Sequence, residues 1–256
     1  MENWRLIITE PTDSFTNMGI DEAIMYFVSE KKVPPTLRFY RWNRYAAALG
    51  AHQSVYQELD IDYCKTHNIE IFRRISGGGA VLKDPEGELN YSISVREDHP
   101  IIPKDIKKTH EVLCEGIVIG LKKLGFETAE FVPINDIIIN GRKVSGNAQA
   151  RKYKTILHHG TILLKVDVKK MFSVLKVGEE KIRGKLIKNV EERVTSLEQE
   201  MGRTPSFEEV EKALIKGFEE SLNVKFIKDS LTEEELTLAR KLAKEKYSQD
   251  SWNFRR

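Results

Sequence analysis

Ile137-Ile138-Ile139-Asn140-Gly141-Arg142-Lys143-Val144 reads as a β-hairpin. Asn-Gly between two apolar runs supplies the positive backbone angles that a two-residue turn demands, and such a turn folds the chain back antiparallel. The pattern recurs outward from this stretch. Asn90 to Val95 alternates like a strand, and the turn signal Asp84-Pro85-Glu86-Gly87 before it predicts a second hairpin over residues 80–95. Further strands are expected at Leu6 to Thr9, Thr36 to Trp42, Ala46 to Gly50, Ile69 to Arg73 and Thr161 to Val166. A helix is expected from Asn17, with Ile20, Ile24, Phe27 and Val28 on one face and Pro34-Pro35 beyond its end. Asp60 to His67 suits a short helix. Leu113, Ile117, Leu121 and Leu124 keep a helical stripe that Gly125 ends. From about residue 168 the chain turns to Lys- and Glu-rich helices, and Ser206 with Glu209 and Thr232 with Glu235 are capping-box signatures. No repeat or low-complexity linker interrupts it. The expected fold is α+β: one domain over residues 1–256, a largely antiparallel sheet flanked by helices and closed by a helical C-terminal third.

Composition agrees. Of 256 residues, 40% are hydrophobic and 31% charged, which supports a packed core rather than disorder. Lys and Arg exceed Asp and Glu by only 2, so no net field points to nucleic acid or a membrane surface. The N-terminus carries no long apolar run and no segment has the apolar length of a membrane span, which makes the reducing cytoplasm the expected compartment. Cys64 and Cys114 lack metal spacing and read as buried thiols, or as a nucleophile.

Three segments carry chemistry. In Arg73-Arg74-Ile75-Ser76-Gly77-Gly78-Gly79-Ala80-Val81, three glycines let the backbone approach a ligand and turn N–H groups toward an anion. The two arginines beside them offer charge-assisted donors to phosphate or carboxylate. The alternative is a flexible turn with solvated arginines. The spacing is not that of a GxxxxGK[ST] phosphate loop. In Asn135-Asp136 and Gly141 to Gln149, Lys143 is a point charge suited to an α-phosphate and a carboxylate meeting in one transition state. Its other reading is an exposed hairpin lysine. Asp136 is a magnesium ligand or a turn residue. In His158-His159-Gly160-Thr161-Ile162-Leu163, adjacent histidines on an extended chain face opposite ways, which suits a supporting or packing role better than a metal site.

Taken together, these segments resemble the lipoate-protein ligase A family within the biotin/lipoate ligase superfamily. Arg73 to Val81 meets the family's RR-x-SGGG-x-V, Asn135-Asp136 with Arg142 to Ala148 meets ND and RKVSG[SN]A, and His158 to Leu163 meets HHGT-[IL]-L, in the same order. Weaker agreement runs through Asn189 to Leu197 and Ser251 to Phe254, so the resemblance covers nearly the whole chain. It implies the class II-synthetase-like biotin/lipoate ligase fold and a two-step reaction. Lipoate (or octanoate) and Mg-ATP give lipoyl-AMP and pyrophosphate. An acceptor lysine then attacks the mixed anhydride. Carried over by motif position, Arg74, Gly77, Gly78, Gly79, Ala80, Val81 and Leu82 would line the nucleotide and lipoyl site, together with Gly146, Ala148 and His159. Lys143 would touch the lipoyl carbonyl and the α-phosphate, while Asn135 and Asp136 would complete the nucleotide or Mg²⁺ side. The implied acceptors are lipoyl domains of 2-oxoacid dehydrogenase E2 or glycine cleavage H protein.

Two departures stand out. Lys83-Asp84 replaces the family's HD, which would set a surface lysine against the acceptor or the nucleotide. The chain ends at Arg256, where single-chain members continue into a small C-terminal domain, so a separate accessory protein is expected. Three rivals remain. An octanoyltransferase of this fold passes the acyl group from a carrier protein through a cysteine; Phe131 to Asp136, where such relatives place it, holds none. A biotin ligase would need a GRGRxG loop, which is missing. A non-catalytic lipoyl- or nucleotide-binding module is the third.

Overall fold

The computed structural model describes residues 1–176 and 180–255. Among these residues the strands run β1 (Glu2–Ile8), β2 (Thr36–Tyr40), β3 (Ala46–Leu49), β4 (Glu70–Arg73), β5 (Val81–Lys83), β6 (Glu88–Arg96), β7 (Glu130–Val132), β8 (Asp136–Ile139), β9 (Arg142–Lys152), β10 (Thr155–Leu163) and β11 (Val224–Lys228). Eight form one sheet in the order β11-β1-β2-β6-β10-β9-β8-β7, and a second sheet runs β4-β3-β5. The large sheet is antiparallel from β2 to β7 and parallel only at the β11-β1-β2 edge.

The Asn140-Gly141 hairpin forms as expected. Both residues have positive φ, 51° and 76°, which Asn and Gly tolerate. Beyond the turn Ile138 faces Lys143 while Ile137 faces Ser145, so Val144 is an extra residue in β9. This bulge sits directly after Lys143, at the kind of position where bulges re-aim a side chain.

The hairpin expected over residues 80–95 does not form. Both strands exist, but β5 pairs with β3 and β6 pairs with β2 and β10. The reason lies in β6, which is buried at every position from Glu88 to Val95. Such a strand needs a neighbour on each side and cover on both faces, and a three-residue partner cannot supply them. The Asp84–Gly87 turn is real: the Asp84 carboxylate accepts the Glu86 and Gly87 N–H groups. It carries the chain from one sheet to the other, and the gap it spans is the cleft described below.

Helices cover both faces. On one, the helix Ile106–Lys123 buries Leu113, Ile117 and Leu121 against Ile93, Val95 and Phe39. It also packs on the helix Phe207–Leu222 so closely that a Cβ on Gly217 would stand 2.1 Å from the Gly116 carbonyl oxygen. On the other, the helix Ser14–Ser29 starts earlier than expected because Asp13 caps it, accepting from the Thr16 N–H. The Thr232–Glu235 capping box forms, whereas at Ser206 only the hydroxyl half does, because the Glu209 carboxylate pairs with Arg203. Glu235 also takes both terminal nitrogens of the buried Arg5, tying the C-terminal helix Glu233–Leu242 to β1. No described helix is long and apolar enough to cross a membrane.

Candidate active site

Between β5 with the glycine segment and the face of β6, β9 and β10 lies a cleft of about 270 Å³. One apolar cluster contributes Met18, Tyr40, Trp42, Ala48 and Phe72 to its wall. Polar side chains join the lining, among them Asn90, Asn135, Lys143, Asn147 and Thr161. Ten of the residues expected in the site line it: Arg74, Gly78, Gly79, Val81, Leu82, Asn135, Lys143, Gly146, Ala148 and His159. Gly77, Ala80 and Asp136 do not line it, and Asp136 touches the lining through Lys143.

The two arginines part company. Arg73 is wholly buried and turned away from the cleft, donating to the carbonyls of Gly50, Gln53, Trp252 and Asn253. Its expected role as an anion donor is therefore replaced by a structural one, holding the Trp252-Asn253 segment. Arg74 faces the cleft and clamps the glycine segment: its Nη2 donates to Gly77 O at 2.8 Å and Gly79 O at 2.9 Å. Burial brings its guanidinium down to about 10, still a cation at neutral pH. Of the three glycines, Gly78 is the one its backbone requires. Gly78 has φ +97°, and a Cβ on Gly50 would lie 2.1 Å from Gly78 O, while Gly77 and Gly79 face open space.

Across the cleft, Lys143 Nζ lies 2.6 Å from Asp136 Oδ1, both side chains roughly a third exposed (38% and 36%), so the ammonium remains accessible to a ligand. The strand carrying it is pinned by Thr195 N–H donating to Lys143 O. Gly146 leaves it room, since a Cβ there would stand 3.1 Å from Nζ. Asn135 and Asn147 exchange hydrogen bonds with each other's backbone, and the Tyr91 hydroxyl donates to Asn147 Oδ1. Among the described residues no three His, Cys, Asp or Glu side chains gather as a metal site, so a cation at Asp136 would complete its shell with water and ligand oxygens.

The paired histidines do face opposite ways. His159 Nε2 lies 2.6 Å from Ser76 Oγ on the cleft side, while His158 points to the Cys114 sulfur under the helix Ile106–Lys123. Burial, helped by the Arg74 and Lys83 cations, drops His159 to about 3, so its ring is neutral. Lys83 is not a surface residue as expected. It is turned into the cleft with little exposure, its Nζ donating to Thr161 Oγ1 at 2.6 Å and lying 3.2 Å from Glu88. Burial pushes its pKa down. Neither cysteine lines the cleft, and burial raises both thiols, Cys64 to about 11 and Cys114 further. Sequence reasoning missed Trp42, Asn90 and Thr161. Thr161 alone had a signal, because it follows His159 by two on a strand and must share its face.

The model of the lipoyl protein ligase A/B catalytic domain matches residues 13–219. Octanoyltransferase LipM of Brevibacillus brevis is 34% identical and that of Geobacillus kaustophilus 35%; each match spans the whole of this chain and at least 99% of the relative. Among solved structures, one of an archaeal lipoylation system, a bi-partite lipoate protein ligase and its E2 lipoyl domain from Thermoplasma acidophilum, matches with TM-score 0.88 and 35% identity, over 99% of this chain and 97% of that one. Lipoate-protein ligase A bound with ATP matches with TM-score 0.83 and 32% identity, over 99% of both chains. The architecture expected from the motifs is therefore that of the neighbours. On the acyl donor, the curated relatives side with the octanoyltransferase alternative and not with the ATP-dependent reading.

Proposed function

We propose that this chain, which belongs to the lipoyl protein ligase A/B catalytic domain family, transfers a lipoyl or octanoyl group to a lysine of an acceptor protein domain, with residues 1–256 as its catalytic domain. One observation carries the reading: the accessible Lys143 ammonium stands in the same cleft as an apolar wall of Met18, Tyr40, Trp42 and Phe72. The apolar wall takes the acyl chain. Lys143 then faces the acyl carbonyl, where negative charge develops as the acceptor amine attacks. The new C–N bond forms, the bond to the leaving group breaks, and the amine proton leaves to solvent. No side chain needs to be acylated.

Two donors fit different observations. An acyl-adenylate, made from the acid and Mg-ATP, suits a cleft without a thiol and the likeness to a ligase bound with ATP. The backbone around Gly78 and Gly79, with the open space beside Gly77 and Gly79, would approach the phosphate, Lys143 would bridge phosphate and carbonyl, and Asp136 would hold Mg²⁺. The T. acidophilum neighbour is described as bi-partite, and a separate accessory chain assisting adenylation belongs to this reading. An octanoyl thioester on a carrier protein suits the octanoyltransferase relatives. Because both cysteines are buried away from the cleft, transfer here would pass directly from the carrier to the acceptor amine. The acceptors are lipoyl domains of 2-oxoacid dehydrogenase E2 or glycine cleavage H protein.

The test offers such a lipoyl domain either lipoate or octanoate with Mg-ATP, with and without a candidate accessory chain, or octanoyl carrier protein without nucleotide, and reads the acceptor's mass. Acylation only with ATP supports the adenylate, and acylation only from the carrier replaces it with the thioester. No acylation under any condition leaves a binding module and refutes the enzyme.

A further inference from the structure

Two hydrogen bonds run from the ends of the glycine segment to a single strand. Ser76 Oγ meets His159 Nε2 at 2.6 Å, and Lys83 Nζ donates to Thr161 Oγ1 at 2.6 Å. His159 and Thr161 are two apart on β10 and so share its cleft face. Ser76 and Lys83 bracket the run from Gly77 to Leu82. The small sheet's loop is thus tied at both ends to neighbouring positions of the large sheet. Val81 and Leu82 pair with β3, but a Cβ on Gly77 or Gly79 would meet nothing within 4 Å, and glycine has the most freedom to lose on being fixed. Arg74 clamps the run to the small sheet only.

The second tie is built from costly groups. Glu88 is buried and Lys83 nearly so, and Glu88 also accepts the Trp42 indole N–H at 2.6 Å while Asn90 Oδ1 lies 3.3 Å from the ammonium. Burying an ion pair gives little net stability, so its presence in the cleft wall calls for another reason. The His159 ring is neutral far below physiological pH, so the first tie does not change with ordinary shifts of pH.

We propose that Ser76–His159 and Lys83–Thr161 form a two-point anchor that sets the distance from the glycine segment to β10, making Lys83 and Ser76 positioning residues for the acyl donor. This rests on the acyl-transfer reading of the cleft. Chemically, the anchor fixes the gap between the Gly79 backbone and Lys143, the two walls between which the acyl carbonyl must sit.

The test compares Ser76→Ala, Thr161→Val and their double variant with the wild type. Thr161→Val is chosen because it removes the bond to β10 while leaving Lys83 against Glu88 and Asn90 of β6. Amide hydrogen exchange across residues 74–84 reads the anchor without reference to activity. Loss of one buried hydrogen bond corresponds to roughly tenfold faster exchange in each single variant and more in the double. In transfer assays the KM for the acyl donor rises about as much as exchange does, while kcat and the KM for the acceptor domain move little. Unchanged exchange in the double variant overturns the anchor, as does a fall in kcat with a rise in both KM values together. If the wild-type chain acylates no acceptor, the acyl-transfer reading falls and with it the positioning role, while the exchange result still decides whether the anchor exists.

Discussion

Replacing Lys143 by Met should separate catalysis from stability. The ammonium and the Asp136 carboxylate are 2.6 Å apart, but both are more than a third exposed. A pair so screened contributes about 1 kcal/mol or less to folding. Methionine keeps most of the apolar stem, so the thermal midpoint should move by no more than about 4 °C in a chain of this size. The chemical step is another matter. A fixed positive charge at the developing oxyanion is worth about 3–4 kcal/mol, or roughly 10²–10³ in rate. Rapid-mixing transfer from a pre-formed octanoyl donor to a lipoyl domain, with calorimetry on the same preparation, reads both quantities. Asp136→Asn is the matched control, because it leaves the ammonium in place and should lower transfer far less. A Lys143→Met protein that keeps a third or more of the wild-type transfer rate would refute the assignment. So would a fall in midpoint beyond about 8 °C, since lost activity would then report lost structure.

Further outcomes follow from the same geometry. Cys64→Ala with Cys114→Ala should leave transfer within about threefold, since both thiols are buried outside the cleft and held protonated; abolished transfer in a protein that still melts cooperatively would restore a thioester route. Burial pushes the Glu22 carboxyl up, but hydrogen bonds from Lys152, Lys246 and Tyr247 outweigh it and hold it at about 2. A carboxylate depressed this way stabilises the fold above its unfolded value of about 4.5, on the order of 3 kcal/mol, and loses that contribution as pH falls toward 2. Urea unfolding at pH 7, 4 and 2 should therefore show a steeper acid loss in the wild type than in Glu22→Gln; equal losses would contradict the network. Gly217→Ala should destabilise by about 2 kcal/mol or more, read as a lower thermal midpoint, because its methyl would press on the Gly116 carbonyl of the facing helix.

How much of this was legible depends on how far each signal reaches along the chain. Asn140-Gly141 dictates its own backbone, so the β8–β9 hairpin and the placement of Lys143 follow from eight residues. Asp84 to Gly87 likewise dictates a turn, but a turn does not choose the partner of the strand after it, and β6 finds β2 and β10 instead of β5. β11 is the same problem at longer range. Its five residues sit between helices and pair in parallel with β1, more than two hundred residues away, and no local pattern names that partner. In the site, the period of a strand gives relations and not absolutes. Once His159 faces the cleft, Thr161 must do so and His158 must not, and the structure agrees. The same alternation says only that Arg73 and Arg74 point apart, not which one meets the ligand, and that is settled by Gly50, Gln53 and Asn253 gathering around Arg73. Lys83 marks the limit: as a lysine it reads as solvated, and it turns inward because Glu88, Thr161 and Asn90, brought from another sheet, together take its charge and its donors.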